Sequence, residues 1–185
     1  MKRSFITTLA LLLIFALISC ETSSNKALTA NEILSAFKNA GYETQSLSFR
    51  DLGMTADDMN YAADAPSEVK IYAIARMWPG IDEGQIETGY LVYYKFSNEE
   101  QAVKEFNGLK KGAESYENRY IVKSGEGFDK AYFVEKNDYR SYGITHYISR
   151  VNNTIIVMQV DWDNFQDAEM NYDHLPQKTL ESLGY

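Results

Sequence analysis

The chain has 185 residues, 18 basic against 26 acidic, with 14 Tyr, 9 Phe and a single Cys. An acidic balance excludes a phosphate-tracking nucleic-acid binder, which needs a basic stripe, and it disfavours adhesion to anionic headgroups. One cysteine cannot build a disulfide framework, so stability must come from packing in one domain of ordinary size.

The start reads Met1-Lys2-Arg3, then an uncharged run from Phe5 to Ile18. Two cations, a dozen or so apolar residues and then small residues are the layout of a secretory signal. The run falls short of the roughly 20 residues that cross a bilayer comfortably; an uncleaved N-terminal anchor helix is the alternative. At its end stand Leu17-Ile18-Ser19-Cys20-Glu21. This segment resembles the lipobox of bacterial lipoproteins. The resemblance implies a diacylglyceryl group on the Cys20 thiol and cleavage before Cys20, leaving residues 1–19 as signal peptide. It also implies an address at the bacterial cell membrane or outer membrane. Glu21 is not the Asp that, in some two-membrane bacteria, retains a lipoprotein in the inner membrane. Two or three acyl chains anchor firmly, at about 0.8 kcal/mol per buried methylene. Without Lys2 and Arg3 the charge is −10.

Residues 20–28 are mostly polar and read as a tether, leaving 29–185 as a single domain. Thr29-Ala30-Asn31-Glu32 has capping-box spacing, and Ile33, Leu34 and Phe37 form an apolar helical stripe that Gly41 ends. Leu47 to Ala65, interrupted by Asp51, Gly53, Asp57, Asp58 and Asp64, reads as a long loop or a short, poorly formed helix. Strands are expected from Val69 to Trp78 and from Glu87 to Phe96. Ser97-Asn98-Glu99-Glu100 then reads as a second capping box, opening a helix with Ala102, Val103, Phe106 and Leu109 inward.

Tyr120–Lys123 and Ala131–Glu135 are further strands, separated by a Gly125-Glu126-Gly127 turn. Asn152-Asn153 joins the strands Ile144–Val151 and Thr154–Asp161 as a two-residue hairpin that tolerates positive φ. A last helix starts near Pro176, with Leu175, Leu180 and Leu183 inward and Gly184 at its end. Strand runs joined by tight turns predict a single two-layer α+β domain, its mostly antiparallel sheet carrying helices on one face.

Candidate chemistry is sparse. His146 and His174 could serve as base or zinc ligand, but no His or Cys partner stands at metal-site spacing, so they read as ordinary strand and helix residues. Asp161-Trp162-Asp163-Asn164-Phe165-Gln166-Asp167-Ala168-Glu169 alternates carboxylates in a way that could gather a cation. Phe165, Gln166 and Tyr172 occupy the places where an EF-hand needs an oxygen ligand, Gly and Glu, so that motif fails. Ser67-Glu68-Val69-Lys70 and Tyr132-Phe133-Val134-Glu135-Lys136 spell nucleophile-activating pairs but fall on strand or pre-strand sequence. Asn152-Asn153-Thr154 matches a glycosylation sequon that its hairpin position explains. Tyr90 and Tyr94 share a strand face, with Tyr93 opposite, and Trp78 and Trp162 end strands. Exposed, such aromatics could stack on sugars; packed against helices, they are core.

Gly127-Phe128-Asp129-Lys130-Ala131-Tyr132, then Arg150-Val151-Asn152-Asn153-Thr154-Ile155-Ile156-Val157 and a closing helix, are similar to the last part of exported sensor-type and lipoprotein domains. That likeness implies an α+β sandwich with a groove and transfers no active-site residue. The expectation is a surface-tethered envelope lipoprotein, bound to the membrane through Cys20. Its role is non-catalytic, toward a carbohydrate, peptide or envelope-protein partner, with no cofactor, metal or nucleic acid. The alternative is a cell-envelope hydrolase using the Asp161–Glu169 carboxylates, with or without a metal. An inhibitor-like module would show a flat aromatic surface.

Overall fold

Runs of Tyr, Ile and Val set the architecture, because β-branched and aromatic side chains suit a pleated surface. A computed structural model describes residues 26–55, 59–77, 86–113, 120–125, 128–137, 142–163 and 175–185. The chain runs α1 (Ala30–Asn39), β1 (Glu43–Leu47), a 3-10 turn (Phe49–Leu52), β2 (Glu68–Met77) and β3 (Ile86–Lys95). It continues with α2 (Glu99–Ala113), β4 (Tyr120–Gly125), β5 (Phe128–Asn137), β6 (Tyr142–Val151), β7 (Thr154–Asp163) and α3 (Leu175–Ser182). This is an α+β domain on one antiparallel sheet of seven strands, ordered β1-β2-β3-β7-β6-β5-β4. The chain leaves β3 through α2, enters the far edge at β4, and winds back until β7 pairs with β3.

The helices do not share one face, as the turn pattern had implied. α1 and α3 pack on one side through Ile33, Phe37 and Leu180, against Leu91, Tyr93, Ile156, Met158 and Val160. α2 packs on the other through Ala102 and Phe106, against Tyr94, Ile148 and Ile155. The physical reason lies in the middle strands. β3 and β7 carry large apolar residues at successive positions (Leu91 to Tyr94, Ile155 to Met158), so both faces need cover. Each such side chain removed from water contributes about 1.5–3 kcal/mol.

Local chemistry accounts for most boundaries. Thr29 caps α1 with a complete capping box: Glu32 N–H donates to Thr29 Oγ1 and Thr29 N–H to Glu32 Oε2. The cap of α2 is Asn98 rather than Ser97, its side-chain oxygen accepting from Gln101 N–H at 3.0 Å. Asn152 adopts φ 50°, and Asn152-Asn153 closes the β6–β7 hairpin on the pair Val151 and Thr154. Asn153 also ties that hairpin to the end of β3, exchanging bonds with both backbone groups of Phe96. Within Leu47–Ala65, Ser48 and Asp51 build a second capping box around the 3-10 turn, and Gly53 ends it at φ 68°. β1 was not expected; it is a five-residue edge strand with little apolar alternation.

Two ionic clusters among the described residues, the first of them buried, stitch elements together. Arg76 Nε meets Glu87 Oε2 at 2.6 Å between β2 and β3, both side chains being at most 6% exposed, and Tyr42 donates to Glu87 Oε1. Arg150 joins Asp129 of β5 at 2.6 Å and Glu99 at the start of α2 at 2.8 Å.

Candidate functional site: the uncovered half of the sheet

α2 covers only part of its face. The apolar cluster beneath it includes Val92, Val157 and Ile148, cross-strand neighbours in one row that Ile71 extends on β2. One pleat further along, the row reads Gln45, Ala73, Tyr90 and Gln159; the next reads Glu43, Ala75, Thr88 and Asp161. Composition changes at that line. On β7 the same-face positions pass from Ile155 and Val157 to Gln159 and Asp161, and on β2 from Val69 and Ile71 to Ala73 and Ala75. No helix lies over this half among the described residues. Tyr90 is 42% exposed and Met77 70%.

The face has a defined relief. Ala73 and Ala75 are half-buried and form a low strip along β2. Exposed Glu43 and Gln45 border the strip on the β1 side, and exposed Thr88 and Tyr90 on the β3 side. Gln159 Nε2 donates to Asp161 Oδ1 at 3.2 Å, holding that carboxylate diagonally across from Tyr90.

Tyr90 and Tyr94 do share a face, as their spacing requires, but α2 buries Tyr94 and leaves Tyr90 open, while Tyr93 is core on the opposite side. Burial raises the Tyr93, Tyr94 and Tyr147 hydroxyls well above the ordinary tyrosine value. His146 lies on β6 at the register position opposite Gln159, in the same row. Asp161 and Asp163 fall on β7, while residues 164–169, His174, Trp78 and Cys20 lie outside the described residues. Ser67 Oγ donates to Lys95 O and is not presented to Lys70 as a nucleophile. Tyr132 and Lys136 sit four apart on the extended strand β5, about 13 Å along the chain. Pattern and motif did not single out Ala73, Ala75, Met77, Thr88 or Gln159; the mid-strand change from large apolar to small or polar was the signal available.

Two shallow cavities flank α2. One, of ≈ 290 Å³, is bordered by Tyr61, Glu105, Gly108 and Gly112. Its buried Glu105 accepts from the Ala62 and Ala63 amides at 2.7 and 3.0 Å, pinning the 59–64 segment to the helix. Burial, reinforced by the Glu105 charge, raises the Tyr61 hydroxyl above its ordinary value. The other cavity, of ≈ 220 Å³, holds Asp64, Glu100 and Lys104 near the start of α2. There Gln101 Nε2 donates to Asp64 Oδ2 at 2.7 Å, a tie between loop and helix. Among the described residues no three His, Cys, Asp or Glu gather as a metal would require.

No protein family, curated protein or solved structure matches this chain.

Proposed function

We propose that the protein is an exported bacterial lipoprotein, lipid-bound through Cys20. Its domain serves as a non-catalytic binding or structural module at the cell envelope, presenting the uncovered half-sheet to a partner. The anchor rests on the leader Leu17-Ile18-Ser19-Cys20 and the polar residues that follow it. What supports the presentation is where the chain enters the domain. Leu28 N–H donates to the Tyr185 hydroxyl at 3.1 Å, and Leu28 O accepts from the Tyr93 hydroxyl at 3.2 Å. The Tyr185 hydroxyl also bonds Thr154 Oγ1 at 2.6 Å, beside the β6–β7 hairpin.

The tether therefore enters at the hairpin end of the strands, on the α1 and α3 face. The uncovered half-face lies on the opposite face, seven residues along β7 at Asp161, about 24 Å away at a strand's usual rise. Leu28 and the open face occupy opposite corners of the domain, an arrangement that suits a body hung from its N-terminal side with that face turned outward.

Labelled palmitate fed to a bacterial host should enter the protein and be lost in Cys20→Ser; intact mass should show cleavage before residue 20. An unprocessed start would end the lipoprotein reading. Incubation with purified cell-wall polymers should leave them intact. Turnover abolished by Asp161→Asn would replace the binding role with the hydrolase built on the Asp161–Glu169 carboxylates.

A further inference from the structure

We propose that the uncovered half-face docks an extended, lysine- or arginine-bearing segment of a partner protein. The inference rests on reading that face as the binding surface and names what the surface takes. Three features favour this occupant. First, Met77 and Tyr90, the large apolar side chains left exposed among the described residues, both lie on this one face, on paired strands. Met and Tyr are residue types enriched where proteins meet.

Second, the charge has one sign. Glu43 and Asp161 share a row there, and no Lys or Arg occupies a position of this half-face on β1, β2, β3 or β7. A cationic side chain over the Tyr90 ring would meet both the ring's negative face and the Asp161 carboxylate that Gln159 orients. Third, the Ala73–Ala75 strip between its two borders runs along a strand and is about one side chain wide, which suits a stretched backbone better than a compact ligand. A second copy of this chain would set like charges against each other, and anionic lipid or nucleic acid would do the same.

The test uses the full chain in detergent micelles and a fluorescent, end-blocked octapeptide of alternating Arg and Thr, followed by anisotropy. An octapeptide of alternating Glu and Thr, and chitohexaose as an uncharged glycan, are the comparators. The basic peptide should bind and the acidic one should not. Tyr90→Ser and Asp161→Asn should each weaken binding roughly fivefold or more. Glu181→Gln, which removes an exposed charge on α3, should change it by less than about twofold. Circular dichroism of each variant checks that the fold persists.

Absence of basic-peptide binding overturns the proposal. So does an equal loss in Glu181→Gln, which would mean attraction to net charge alone. Chitohexaose binding that depends on Tyr90, with the basic peptide indifferent to it, would assign the face to glycans instead. Hydrolysis of chitohexaose would sink the non-catalytic reading itself, and missing palmitate at Cys20 would sink only the anchor.

Discussion

The two faces of the sheet solve one problem differently. On the α1 and α3 side, β7 stays buried through Ile156, Met158 and Val160, and the charged pair Arg76 and Glu87 is neutralised internally with help from Tyr42. On the α2 side, burial stops halfway and polar or small residues take over. The first face is a completed core. The second spends only half its area on stability and leaves Tyr90 and Met77 standing in water among polar and small side chains.

That contrast can be broken in graded ways. The largest effect should come from alkali. Tyr93 and Tyr147 on the completed face and Tyr94 under α2 have hydroxyls raised by burial above their ordinary value of 10.0. A raised folded-state value means the unfolded chain loses those protons first, so stability is intact below pH 10 and is lost as pH rises beyond it. Cooperative unfolding should accompany tyrosinate absorbance above that pH, and Tyr94→Phe should move the midpoint upward. Tyrosinate appearing in an intact fold at its ordinary pH would refute this.

Next comes Arg76→Met, which takes the guanidinium away from the buried Glu87 carboxylate and leaves Tyr42 to hold it, and should cost about 3–5 kcal/mol in chemical denaturation. Arg76→Met with Glu87→Met should recover much of that loss, since the buried charge is gone.

Smaller effects of opposite sign are expected from two glycines one turn apart on α2. A methyl at Gly108 would come within 2.4 Å of the Ala62 Cβ. Overpacking of about 1–3 kcal/mol should outweigh the helix-propensity gain of about 1 kcal/mol, making Gly108→Ala destabilising. At Gly112 the added carbon meets nothing within 4 Å, so Gly112→Ala should stabilise by up to about 1 kcal/mol. Thermal melts of the pair separate the two signs. Smallest of all, Tyr90→Ser should change stability by no more than about 0.5 kcal/mol, because the ring carries little of the core. A loss comparable to that of a core aromatic would mean the half-face is structural after all.

Elements with their own local chemistry were legible in the sequence. The Thr29 capping box, the Asn152-Asn153 hairpin and the strands of β2 and β3 could be read within a residue or two, because backbone sterics and short-range hydrogen bonds determine them. β1 escaped notice because a polar edge strand is defined by its partner β2, not by its own pattern. The placement of helices on both faces depends on α2 carrying the chain across to the far edge, a long-range choice with no local mark. The open half-face is half visible in the sequence: the alternation places Tyr90 on a strand face, but recognising Gln159, Asp161 and Ala73 as its neighbours requires the register.

The latch at Leu28 has a mechanical corollary. A pull applied to the chain before Leu28 reaches two phenol groups, Tyr93 and Tyr185, before it reaches any strand ladder. Tyr185 is itself held through its backbone oxygen by Lys130 and the Tyr147 hydroxyl. Shear from outside is thus handed directly to the protein's interior, so α1 must peel away before the sheet can unzip.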